Sequence, residues 1–227
     1  MLVAVVTSLS AALLPRASYY VEKGKMSHFW DIGKNALKFI IVLATPMVVY
    51  FIMFAKECIE VLAGSAYSPS ILPMQIITPT ILIIGMAHVT SLQMLVPLGK
   101  EKVILYSEIV GVVTNLILNA ILIPDIGASG AAIGTVITEL VVLLVQMCAL
   151  RGNLDGVLSM KSVIKMLSGI LCAVGITRFI GMEAFSAFWK LVVTSICYFG
   201  VYALIILSPK KTVEYIAKFA RKLKGKR

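Results

Sequence analysis

Charge is what this sequence has least of. Asp, Glu, Lys and Arg make up 14% of its 227 residues and apolar types 59%, whereas a soluble domain carries roughly 25% charged residues. With mean hydropathy at +0.97, a soluble globular fold is excluded. Short alternating segments of roughly ten residues, which a transmembrane barrel needs, are also absent. Histidine is nearly missing: His28 and His88 complete no Ser/His/Asp arrangement, and no glycine-rich loop is built to cradle a phosphate. No catalytic residue is assigned, and the chain is read as a non-enzyme. Cys58, Cys148, Cys172 and Cys197 have no metal-ligand spacing, and three of them lie inside apolar runs. They read as small buried hydrophobes, so no metal and no cofactor is expected. Acidic residues number 11 against 21 basic ones. The basic residues sit between apolar runs, not on an aromatic-interleaved stripe, which argues against nucleic acid as a partner.

What is abundant is long apolar runs. Seven stand out: Leu2–Leu14, Leu37–Ala55, Ile71–Leu98, Val103–Ile123, Ala131–Leu150, Val163–Ile180 and Trp189–Leu207. A helix rises about 1.5 Å per residue, so about 20 residues cross about 30 Å of hydrocarbon. The sequence therefore predicts an all-α integral membrane protein, a polytopic bundle of six to seven transmembrane helices. The first run, about 20 Å as a helix, is short of a full span, and no basic region precedes it as in a signal peptide. The sequence reads as starting inside a helix of a longer protein. Residues 1–208 form one transmembrane lobe. The remainder, 209–227, is a basic amphipathic tail suited to an anionic inner leaflet or to anchoring orientation. The third run is too long for one straight span and contains Pro73, Pro79, Gly85 and Pro97. Kinks are expected near Pro79 and Pro46. Pro46, Pro79 and Gly85 are candidate hinges, with a static packing bend the open alternative.

Lysine and arginine set the orientation. Arg16, Lys23, Lys25, Lys34 and Lys38 follow the first run; Lys100 and Lys102 the third; Arg151, Lys161 and Lys165 the fifth; eight more lie in the tail. The alternate connections hold only Lys56, Arg178 and Lys190, so the bias is 18 against 3. It predicts a cytoplasmic C-terminus and residence in the cell inner (cytoplasmic) membrane.

Polar groups inside the spans carry the remaining information, because each is costly in lipid. Ser107, Gly111, Asn115 and Asn119 recur every four residues and share one helical face. Gly130, Gly134 and Thr138 form a similar stripe. Close packing and cavity lining both fit such stripes. Glu139 is the deepest carboxylate, roughly 13 Å from the outer end of its run. It is the ion-coupling candidate, with a structural hydrogen bond as the alternative. Glu108, near Lys100, Lys102 and Lys165, reads as half of an interfacial ion pair. Gln75 and His88 are further cavity or packing candidates.

The order of these motifs resembles a known family. Leu13-Leu14-Pro15-Arg16, then Ser18 and Glu22-Lys23-Gly24-Lys25, is similar to the close of an early helix in the C-terminal half of polysaccharide flippases. Gly64 with Tyr67 looks like that family's external Gly-x-x-Tyr element. The stretch from Leu98-Gly99-Lys100 through Asn115, Asn119, Ile123-Pro124, Gly127 and Gly130-Ala131-Ala132 to Thr138-Glu139 is the most specific. Asp125 and Ala63 depart from the pattern. The resemblance is to lipid-linked repeat-unit flippases of the multidrug/oligosaccharidyl-lipid/polysaccharide exporter superfamily, C-terminal half only. It implies one lobe of a two-lobed alternating-access transporter. The implied partners are membrane lipid, an undecaprenyl-pyrophosphate-linked oligosaccharide, and an N-terminal lobe or a second copy, with an ion gradient as drive. A drug or ion antiporter of the same superfamily, and a non-transporting scaffold or truncated remnant, are the alternatives.

Overall fold

The computed structural model describes residues 14–154, 156–179 and 186–207. The first apolar run, but for its last residue, and the basic tail 209–227 lie outside the described residues. All regular structure among the described residues is helical. In order it comprises α1 (Leu14–Glu22), α2 (Met26–Met53), α3 (Ala55–Leu62), a 3-10 turn (Ser65–Ser70), α4 (Ile71–Ile77), α5 (Thr80–His88), a π-helical stretch (Val89–Leu95), α6 (Glu101–Leu150), α7 (Met160–Phe179) and α8 (Ala187–Ile206). The chain forms two compact units, residues 1–158 and 159–227.

Four of these helices are long and apolar enough to cross a bilayer, and the bent pair Ser65–Ile77 with Thr80–Leu95 makes a fifth span. The sixth is concealed in α6. A straight 50-residue helix would measure about 75 Å, more than twice the hydrocarbon thickness. It is not straight: Gly127 sits at φ 54, ψ −129, a region essentially closed to residues with a Cβ. There the chain reverses, and α6 is a hairpin of two arms, 101–126 and 128–150. The chain is thus a multi-pass helical membrane protein with six spans among the described residues.

Breaks in the spans have local causes. Pro79 separates α4 from α5 at a bend of 41°, since proline has no N–H and its ring opposes the preceding turn. Pro46 lies buried inside α2, which continues through it as one helix. Gly85 is buried within α5 without interrupting it. Gly24 (φ 67) and Gly99 (φ 66) end their helices in the left-handed conformation that glycine adopts most freely. In each case two bonds reach back to orphan carbonyls: Gly24 to Val21 with Lys25 to Tyr20, and Gly99 to Val96 with Lys100 to Leu95.

The core of the first unit runs along α2 from Phe29 to Ala44 and closes one end of the unit. Ala17, Phe29, Leu37, Leu95 and Leu150 are buried there, with Leu98, Ala149, Leu154 and Val157 packed against them. This cluster gathers the α1–α2 turn, the turn before α6 and the end of α6, so Lys23, Lys25, Lys100, Lys102 and Arg151 share that end. The second unit is an antiparallel pair. Lys165 Nζ donates to the Ile206 carbonyl at 2.9 Å, and one turn on, Gly169 faces Tyr202, where a Cβ would stand 3.1 Å from the ring.

Candidate functional site

The two arms of α6 meet along the stripe of small and polar residues. Gln146 Nε2 donates to Ser107 Oγ at 3.2 Å. Gly111 faces Val142 at 2.6 Å from where a Cβ would be, Asn115 Nδ2 donates to Thr138 Oγ1 at 3.4 Å, and Gly134 faces Asn119 Oδ1 at 2.7 Å. Each step of four residues along one arm is answered by four along the other, the register of an antiparallel helical hairpin. Nearest the turn, Gly130 packs directly on the backbone carbonyl of Leu122. Small residues allow this close approach, and the asparagines supply hydrogen bonds that lipid cannot. Asn119 also donates to Asn115 Oδ1 at 2.9 Å, one turn apart.

Midway along the hairpin the contact opens into a groove of about 280 Å³, lined by Glu108, Gly111, Val112, Asn115, Leu116, Thr138, Glu139 and Val142. Two carboxylates from opposite arms therefore line one open groove, beside an asparagine and a threonine that are already bonded to each other. In such a groove a carboxylate is the group that would take up a proton or a monovalent cation. Glu108 departs from the expected interfacial pair. Among the described residues no ion pair joins it to Lys100 or Lys102, and Lys100 Nζ approaches the Ala149 carbonyl at 3.5 Å instead.

The other candidate residues lie elsewhere. Gln75 Nε2 donates to the Ile52 carbonyl at 3.0 Å, tying α4 to the end of α2. His88 is half-buried at the end of α5, its carbonyl accepting from Ser91 Oγ at 3.2 Å and its Nδ1 enclosed without a hydrogen-bond partner. Neither lines the groove. Ser107, grouped with Asn115 by spacing, belongs to a separate buried relay. Thr90 Oγ1 lies 2.6 Å from Gln146 Oε1, and Gln146 reaches Ser107, all three at most 1% exposed. Thr90 and Gln146 were not singled out by the sequence, although both stand in apolar runs where each polar side chain needs a partner. Outside the spans, burial first and the neighbouring Glu57 second push the Cys58 thiol up to about 11, keeping it protonated and inert.

No protein-family description matches the chain. An uncharacterized membrane protein of Methanocaldococcus jannaschii is 27% identical over 205 residues, which take in 89% of this chain and 40% of that protein. The solved structure of lipid II flippase MurJ in an inward closed conformation matches with a TM-score of 0.69, at 18% identity, over 87% of this chain and 41% of MurJ. The fold is therefore that of the matching part of a helical membrane flippase. The chain spans about two fifths of the length of both proteins.

Proposed function

We propose that this chain forms one lobe of a transporter that flips lipid-linked oligosaccharide repeat units across the cytoplasmic membrane. The observation that carries the proposal is the fold likeness to lipid II flippase over 87% of the chain. The order of motifs from Leu98 to Glu139 supports the repeat unit as cargo. Transport proceeds by alternating access, with this lobe rocking against a second one, an N-terminal lobe or another copy. Glu139, opposite Glu108 in the hairpin groove, couples the motion to an ion gradient by taking up a proton or cation on one side and releasing it on the other. Asn115 and Thr138 hold the arms in register while it does so.

The test is complementation in a strain lacking its own repeat-unit flippase. Co-expression with a compatible N-terminal lobe should restore surface polysaccharide, and Glu139→Gln in the restored pair should abolish export at an unchanged membrane level of the chain. Export that survives Glu139→Gln makes the carboxylate structural. Resistance to cationic drugs without restored polysaccharide would replace the proposal with the antiporter reading.

A further inference from the structure

The lysine-rich end of the first unit carries a surface that transport leaves unused. The Gly24 turn brings the start of α2 beside α1, and His28 stacks on Tyr20 with ring centroids 5.5 Å apart and planes 24° from parallel. Arg16 covers the same tyrosine, its guanidinium carbon 5.9 Å from the ring centroid and its Nη2 3.5 Å from the hydroxyl. Tyr19 meets Tyr20 edge-on at 5.7 Å. Tyr20 and Ala17 pack on the core, while Arg16, Tyr19, Lys23, Lys25 and His28 stay exposed. Among the described residues no ion pair neutralises Arg16, Lys23 or Lys25; the acids nearby, Glu22 and Asp31, are exposed as well.

The level of this surface is set by its core. Ala17, Tyr20 and Trp30 pack in the cluster where spans end at Leu98 and Leu150, so the cations lie at the boundary of hydrocarbon and water. Tyr19, Tyr20 and Trp30 are the amphipathic aromatics that settle at headgroup depth. Arg16, held there by a ring anchored in the core, loses little freedom on meeting an anion.

We propose that α1 and the turn after it dock on the headgroups of anionic phospholipids in the adjoining leaflet, through Arg16 over Tyr20 and through Lys23 and Lys25 in the turn. Each cation at an anionic surface favours the charged lipid by about fivefold, so three of them enrich it locally. The recognition depends on phosphodiester headgroups presented as a surface, and it is independent of the transported molecule.

Trp30 lies beside this surface and reports on it. Trp30 and Trp189 are the chain's two tryptophans, and Trp189→Phe leaves Trp30 as the single emitter in the full chain. The purified protein is placed in nanodiscs holding a minority of brominated phosphatidylglycerol in phosphatidylcholine, or the same fraction of brominated phosphatidylcholine in its unbrominated form. The charged lipid should quench Trp30 at least about twofold more strongly. Arg16→Gln, Lys23→Gln and Lys25→Gln together should bring the ratio to one, with quenching by brominated phosphatidylcholine unchanged, which shows Trp30 at the same depth. Lys56→Gln, in the connection at the opposite end, should leave the ratio alone. In the parent protein, raised salt should lower the ratio, a readout that needs no basic-residue variant. Equal quenching in the parent, a ratio that survives the triple substitution, or indifference to salt overturns the proposal. So does selective loss of the ratio with inorganic phosphate at matched ionic strength, which would assign a free-phosphate site.

Discussion

Gly130 and Gly175 are both helical glycines of this chain, yet they do opposite work. A Cβ at Gly130 would collide with the Leu122 carbonyl, a backbone atom that cannot swing away, whereas one at Gly175 meets nothing within 4 Å. Gly130→Ala should therefore lower stability by about 1–3 kcal/mol, the usual cost of overpacking. Gly175→Ala should raise it by up to about 1 kcal/mol, the helix preference for alanine over glycine. Thermal unfolding in one detergent measures both, and equal shifts would mean that the arms do not touch at the turn. The residue scale is also where the sequence was least legible. Spacing alone put Ser107, Asn115 and Asn119 on one face. The partner of Ser107 is Gln146, which in turn reaches Thr90, 56 residues away in sequence. No local period encodes a bond of that span. The spacing likewise left open what Gln75 meets, and its partner is a backbone carbonyl at the end of another helix.

Elements were far more legible, because hydrocarbon thickness dictates their length. Each apolar run from residue 37 onward became a span, and the overlong third run is broken at the proline expected to break it. What the runs could not settle was whether Pro46 also breaks its helix. α2 passes through it unbroken with Pro46 buried against neighbours, and packing of this kind keeps a membrane helix together where proline removes a bond. The hairpin is the element on which the candidate site depends. In a straight α6, residues 111 and 142 would lie about 46 Å apart; in the hairpin they touch. Cysteines replacing Gly111 and Val142, in a chain whose four native cysteines are serine, should form an intramolecular disulfide on mild oxidation. Mass spectrometry of the linked peptides detects it. Cysteines replacing Val113, which is 50% exposed, and Val142 should not link. Linkage of the second pair with equal yield would shift the register of the arms and dissolve the groove.

For the whole molecule, the decisive quantity is where the cations lie. The four spans of the first unit alternate in direction, so the turns at Gly24, Gly99 and Gly152 fall on one side and those at Gly64 and Gly127 on the other. The first set carries Lys23, Lys25, Lys100, Lys102 and Arg151, and Tyr20, Leu98 and Leu150 next to these turns share one core cluster. The second has Lys56, held at 3.8 Å from Glu60 one helical turn away, while Asp125 stands beside the hairpin turn. Translocation of a lysine-rich connection is disfavoured, which predicts the first set on the cytoplasmic side. Single cysteines at Ser65 and Gly127, in a chain freed of its own cysteines, should react with an impermeant maleimide added to intact cells. Cysteines at Lys100 and Gly152 should react only after the membrane is opened. A side chain at Gly127 strains a φ of 54; Asp125, two residues earlier, offers an exposed substitute. Labelling of Lys100 and Gly152 from outside would invert the molecule. The Arg16–Tyr20 surface would then face the outer leaflet, and the proposed stroke of Glu139 would run in the opposite direction.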